Sequence, residues 1–148
     1  VTYIGLMTAG FPNFFMITGP GSPSVLGNVV VSIEQHVDWL ADLIQEMQFR
    51  GAEVVENTPD AEESWRDEVQ EVAAATLYMK AASWYLGANI PGKPRVFLPY
   101  AGGVHQFRRI CNRIRDDGYS GIQFLSSHGA AVPPRDLKER REENVGHR

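Results

Sequence analysis

The apolar positions divide the chain into a few segments of distinct period. Phe14, Phe15, Met16 and Ile17 form a short, wholly apolar run that ends in glycines, which predicts a buried strand of a parallel sheet. The turn Thr18-Gly19-Pro20-Gly21 follows. Ser22 then stands as a helix N-cap, with Pro23 at the first helical position. Leu26, Val30, Ile33, Val37, Leu40, Ile44 and Met47 recur at alternating spacings of four and three, the strongest helical pattern in the chain, and Gly51 ends it. Asn57-Thr58-Pro59-Asp60 is turn chemistry. A second helix is expected after it, with Trp65, Val69, Val72, Thr76 and Met79 on one face. Its other face carries Glu62, Glu63, Arg66, Asp67, Glu68 and Glu71, the pattern of a solvated surface.

Residues 81–103 break the helical period. Glycines and prolines (Gly87, Pro91, Gly92, Pro94) alternate with Trp84, Tyr85, Phe97 and Tyr100, the composition of a folded functional loop. A third helix is predicted from about Val104 towards Gly118, with Phe107, Cys111 and Ile114 inward, and Gly121–Leu125 reads as a last strand. From Ser126 the chain turns polar, and 126–148 is expected to be a disordered tail.

Composition narrows the function classes. With 148 residues, 43% hydrophobic and 22% charged, the chain suits one domain with a real core. A net charge of −4 gives no basic face for nucleic acid. No apolar run approaches the roughly 20 residues of a spanning helix, so no membrane partner is expected. One cysteine, Cys111, permits no intrachain disulfide and fits a reducing, cytoplasmic setting. The sequence opens without an initiator methionine or a leader pattern and reads as part of something longer.

Little in the residues alone announces chemistry. A glycine-rich turn leading into a helix can meet an anion, because free N–H groups and the helix dipole favour negative charge. Here Ser24 replaces the third glycine of a dinucleotide fingerprint. Ser22 and Ser24 also lack the glycines of a nucleophile elbow, and the four histidines show no triad spacing. His36, beside Glu34, reads as half of a helix-surface pair, and Cys111 as a small core residue. No metal-ligand spacing is present, so no metal site is expected.

Two phrases change the picture. GLMTAGFPNFFMITGPGSPSVLGNVVVSIEQHVDWL, from Gly5, and ASWYLGANIPGKPRVFLPYAGG, from Ala82, resemble the C-terminal part of Baeyer–Villiger monooxygenases. Gly118-Tyr119-Ser120-Gly121 fits as well, and the resemblance covers about residues 3–125. It implies an α/β fold: the C-terminal part of a two-domain Rossmann-like FAD/NAD(P)-binding architecture, mostly helical here with one or two short strands. Residues 1–125 would complete the FAD-binding domain, with a cofactor loop at about 81–103. It also implies FAD and NADPH as cofactors, O2 and a ketone as substrates, and an ester or lactone as product. The family's two dinucleotide fingerprints, its signature motif and its catalytic arginine–aspartate pair lie upstream of this region. No catalytic residue is therefore expected in the chain, which would depend on N-terminal FAD and NADP domains as its partner. By resemblance Gly21, Ser22 and Val29 face the flavin, Trp84 folds over the nicotinamide cofactor, and Pro23, Ser24, Val25 and Leu26 line the substrate pocket. The reading from a different class is a non-catalytic module that binds a partner through an exposed apolar helix face.

Overall fold

A computed structural model describes residues 1–23, 28–77 and 96–134. Met79, Trp84 and Tyr85, the pocket residues Ser24, Val25 and Leu26, and the tail from residue 135 lie outside the described residues. Along the chain run helix α1 (Val29–Arg50), strand β1 (Val54–Asn57), helix α2 (Pro59–Ala74), helix α3 (Gly103–Asp116) and strand β2 (Ile122–Leu125).

The first helix begins later than the Ser22–Pro23 start that the sequence suggested. Its N-cap is Asn28, whose side-chain oxygen accepts from the amides of Val30 and Val31. Ser22 cannot cap because it is spent elsewhere: it is fully buried and its hydroxyl donates to the Gly19 carbonyl at 2.8 Å. The other end is as expected. Gly51 takes the left-handed conformation, φ 72°, its N–H donates to the Gln48 carbonyl, and Ala52 donates to Met47.

Most of the apolar stripe of α1 faces away from the core, with Leu40 and Met47 the exceptions. Val30 is 63% exposed and Val37 50%, while the same helix buries Ser32, Gln35, His36, Trp39, Leu40 and Leu43. The expected strand at Phe14–Ile17 is also absent: these residues are irregular, and Phe14 and Ile17 lie open. An apolar run makes a strand only where a neighbour offers a ladder, and Phe14–Ile17 pairs with no strand among the described residues. β1, which the sequence reading passed over, pairs antiparallel with β2 in the register Val55↔Phe124 and Asn57↔Ile122. Asn13 closes the other edge of β1: its N–H donates to the Val55 carbonyl, and its side-chain oxygen accepts from the Val55 amide.

Thr58 caps α2 by accepting from the Ala61 amide, with Pro59 in the first turn, and Trp65 and Val69 face inward. Its charged face is exposed at Glu63, Arg66, Asp67, Glu68 and Glu71. Glu62 departs from the solvated expectation. It accepts from the Ala9 amide at 2.7 Å and from the Asn57 side chain, tying the N-terminal loop to β1. α3 matches its pattern: Phe107 and Cys111 are fully buried and Ile114 nearly so. After β2, residues 126–134 turn back along the strand, with Leu125 bridged to Ala131.

The core is aromatic and centred between α2 and α3. Trp65 stacks on Tyr100 at 5.3 Å, and Phe107 meets both rings edge-on or tilted. The N-terminal residues Tyr3, Ile4, Leu6 and Met7 fill its middle, and Trp39 of α1 donates its indole N–H to the Cys111 carbonyl of α3. Among the described residues no helix is long and apolar enough to cross a membrane.

Candidate cofactor site at the glycine turn

The turn at residues 18–23 is held on every side by backbone. Gly19 donates to the Gly5 carbonyl at 3.1 Å, Ser22 to Gly19 at 3.1 Å, and Gly21 to Leu98 at 2.6 Å. Tyr100 in turn donates to the Ser22 carbonyl at 2.8 Å, and the Thr2 hydroxyl donates to that of Pro20. The glycines serve these contacts. A Cβ on Gly19 would stand 2.6 Å from the Gly5 carbonyl oxygen, and one on Gly21 would stand 2.8 Å from the Trp65 indole nitrogen. Close backbone packing explains glycine here without any ligand.

The amides of Gly19, Gly21 and Ser22 thus already have protein acceptors. Pro23 is buried beside them. Val29, at the start of α1, is 38% exposed with Val30 and Val31 beside it. That helix terminus carries no acidic residue in its first turn. The partial positive end of the dipole is therefore uncompensated by side-chain charge and surrounded by apolar surface.

His36 is the residue at this site that sequence reading misplaced. It is fully buried, not a surface partner of Glu34. Its Nδ1 accepts from the Thr18 amide at 3.2 Å and its ring edges onto Phe107 at 5.4 Å. Burial pushes its pKa down to about 4, so the ring is neutral. Its position three and four residues before Trp39 and Leu40 placed it on their face and was the available signal. Thr18, which it holds, has φ 56°, a left-handed backbone that a β-branched residue rarely takes.

Beside the turn lies a cavity of about 260 Å³ walled by Thr2, Pro20, Gly21, Trp65, Val69 and Phe97. The buried Trp65 indole nitrogen has no hydrogen-bond partner among the described residues. Cys111 is an unreactive core thiol, with its pKa raised to about 12 chiefly by burial. Tyr3 is likewise raised to about 12 by burial, and its hydroxyl donates to the Ser120 carbonyl.

The chain is 41% identical to a Baeyer–Villiger monooxygenase of Pseudooceanicola batsensis over 120 residues, 81% of the chain and 22% of that protein. The chain is similar to a C-terminal segment of the Baeyer–Villiger monooxygenases. It is 40% identical over 88% of its length to a phenazine N-monooxygenase of Lysobacter antibioticus, covering 24% of that protein. Among solved structures, an oxidized steroid monooxygenase bound to NADP matches with a TM-score of 0.77 and 47% identity, over 85% of this chain and 23% of that one. A closed cyclohexanone monooxygenase matches with a TM-score of 0.79 and 41% identity, over 85% and 23%. No protein-family model matches. The chain thus spans 22% of the length of the Pseudooceanicola relative, and the α/β fold class read from its two phrases is that of its structural neighbours.

Proposed function

We propose that the chain is the C-terminal part of an NADPH- and FAD-dependent Baeyer–Villiger monooxygenase that converts ketones to esters or lactones with O2. The observation that carries this reading is the match of sequence and structure together over 85% of the chain, at 47% identity and a TM-score of 0.77. FAD, when bound, supplies the activation of O2. The residues here build one wall of its site. Gly21 and Ser22, whose amides are spent on Leu98 and Gly19, hold the turn rigid. Val29 and the open first turn of α1 meet the flavin, Ser24, Val25 and Leu26 border the ketone, and Pro23, buried in the chain itself, backs them. Trp84 closes over the nicotinamide cofactor. The exposed stripe of Val30, Ile33, Val37 and Ile44 is then a surface for the upstream FAD domain. A cytoplasmic setting belongs to the same reading.

The test is a graft. The chain replaces the segment it matches in the Acinetobacter cyclohexanone monooxygenase, and ketone-dependent NADPH oxidation and lactone formation are measured. The expected graft binds FAD and makes lactone. Val25→Ala shifts the preference between a small cyclic and a bulky aryl ketone, and Trp84→Ala slows oxygenation while FAD stays bound. A graft that holds FAD and oxidises a phenazine nitrogen, but no ketone, would replace the ketone reading with N-oxygenation. A graft that folds without FAD favours a non-catalytic module.

A further inference from the structure

We propose that Gln70 of α2 is a positioning residue for the glycine turn, acting through Phe97 and Leu98 to set where Gly21 and Ser22 stand. The inference rests on the functional reading above, in which those two residues belong to the flavin wall, and gives a role to a residue outside that wall. Gln70 uses its whole amide on one partner. Its Nε2 donates to the Phe97 carbonyl at 2.9 Å, and its Oε1 accepts from the Phe97 amide at 3.1 Å. Burial alternates along this segment, with Val96 and Leu98 exposed and Phe97 buried, as in an extended chain. In such a chain the N–H and C=O of one residue point to one side, and those of the next residue to the other. Phe97 therefore turns to α2 and Leu98 to the glycine turn, where its carbonyl accepts from the Gly21 amide at 2.6 Å. Tyr100 adds a second tie by donating to the Ser22 carbonyl at 2.8 Å. The Gln70 amide thus stands where a neighbouring strand would, and residues 97–100 link α2 to the turn.

Packing alone does not set the distance that this relay spans. The cavity of about 260 Å³ lies there, walled by Pro20, Gly21, Trp65, Val69, Gln70 and Phe97. Directed bonds cross where side chains leave space. An apolar residue at position 70 would remove both bonds from Phe97, which is 1% exposed, where burial keeps water from replacing them. The turn also has little room on the α2 side. Gly21 has φ 82°, and a Cβ there would stand 2.8 Å from the Trp65 indole nitrogen. One helix therefore bounds the turn through Trp65 and holds it through Gln70.

The experiment uses the FAD-loaded enzyme that carries this segment. Gln70→Met keeps the length of the side chain and removes both bonds. Gln70→Asn keeps the amide but draws it one methylene back from Phe97, a second variant with the same expected direction. Val72→Ala, elsewhere on α2 and packed on the core, is the control for lost helix stability alone. Hydrogen exchange of the Phe97 and Gly21 amides, the dissociation constant of FAD and the visible absorption of the bound flavin are measured. Gln70→Met is expected to speed both exchanges roughly tenfold, to weaken FAD binding about fivefold and to shift the flavin absorption. Val72→Ala is expected to leave Gly21 exchange and the absorption as in wild type. Unchanged Gly21 exchange in both Gln70 variants overturns the relay. Faster exchange with unchanged FAD affinity and absorption overturns the positioning role, and so does a Val72→Ala enzyme that reproduces every change. A wild-type enzyme that holds no FAD overturns the functional reading instead, and Gly21 exchange then decides the relay by itself.

Discussion

α1 and α3 carry apolar residues at similar helical spacings, yet α3 buries the ones that spacing selects while α1 leaves most of its own open. Phe107 and Cys111 are fully buried, whereas Val30 and Val37 are 63% and 50% exposed. The face that α1 turns inward mixes Ser32, Gln35 and His36 with Trp39 and Leu43. It is held by directed bonds: Trp39 to the Cys111 carbonyl, His36 to the Thr18 amide, and Asp42 to Arg115. Amphipathic spacing marks a face that some surface will cover without saying which surface. α3 has one such face and its cover lies within this chain. α1 has two, and the more apolar one lies open.

The sharpest way to break the comparison is to truncate the centre of the covered face. Phe107→Ala removes a fully buried ring that contacts Trp65, Tyr100 and His36, and should destabilise the chain by about 3–5 kcal/mol in urea unfolding. Val37→Ala, on the open face, should change it by about 0.5 kcal/mol or less. Equal losses would mean that the two faces are equivalent.

The polar side of α1 is tested by acid. His36 has a folded pKa lowered to about 4 from 6.5 by burial, so the unfolded state binds more protons between those values. Its contribution to stability is full above about pH 6.5 and is lost as pH falls through about 4. The loss is on the order of 2–3 kcal/mol. Urea midpoints at pH 7 and pH 4 should fall less in His36→Asn than in wild type. Equal falls would place His36 in solvent.

A small effect on the chain alone is expected from Val37→Asp combined with Ile44→Asp. Both side chains are exposed, so unfolding of the chain itself should shift by no more than about 1 kcal/mol. In the grafted enzyme the same pair should lower FAD retention by burying two charges against the upstream domain. A graft that keeps its FAD would make the open stripe ordinary surface.

The sequence by itself determined the elements whose cause is local. Thr58-Pro59 and Gly51 set helix ends through capping and the left-handed conformation, and Phe107, Cys111 and Ile114 set the inner face of α3 through a period of 3.6. The two long phrases carried the resemblance that the comparisons bear out, because an extended ordered string of residues carries far more information than a motif of three glycines. Tertiary structure decided the rest, where the cause lies far along the chain. Val54–Asn57 becomes a strand because Ile122–Leu125 offers it a ladder, while Phe14–Ile17 finds none. Ser22 could not cap a helix once the Gly19 carbonyl had claimed its hydroxyl, so Asn28 did. His36 went from surface to core because α3 brings Phe107 against that side of α1. Periodicity gives the angle between side chains on one element, and only the packing of distant elements says which of those angles points away from water.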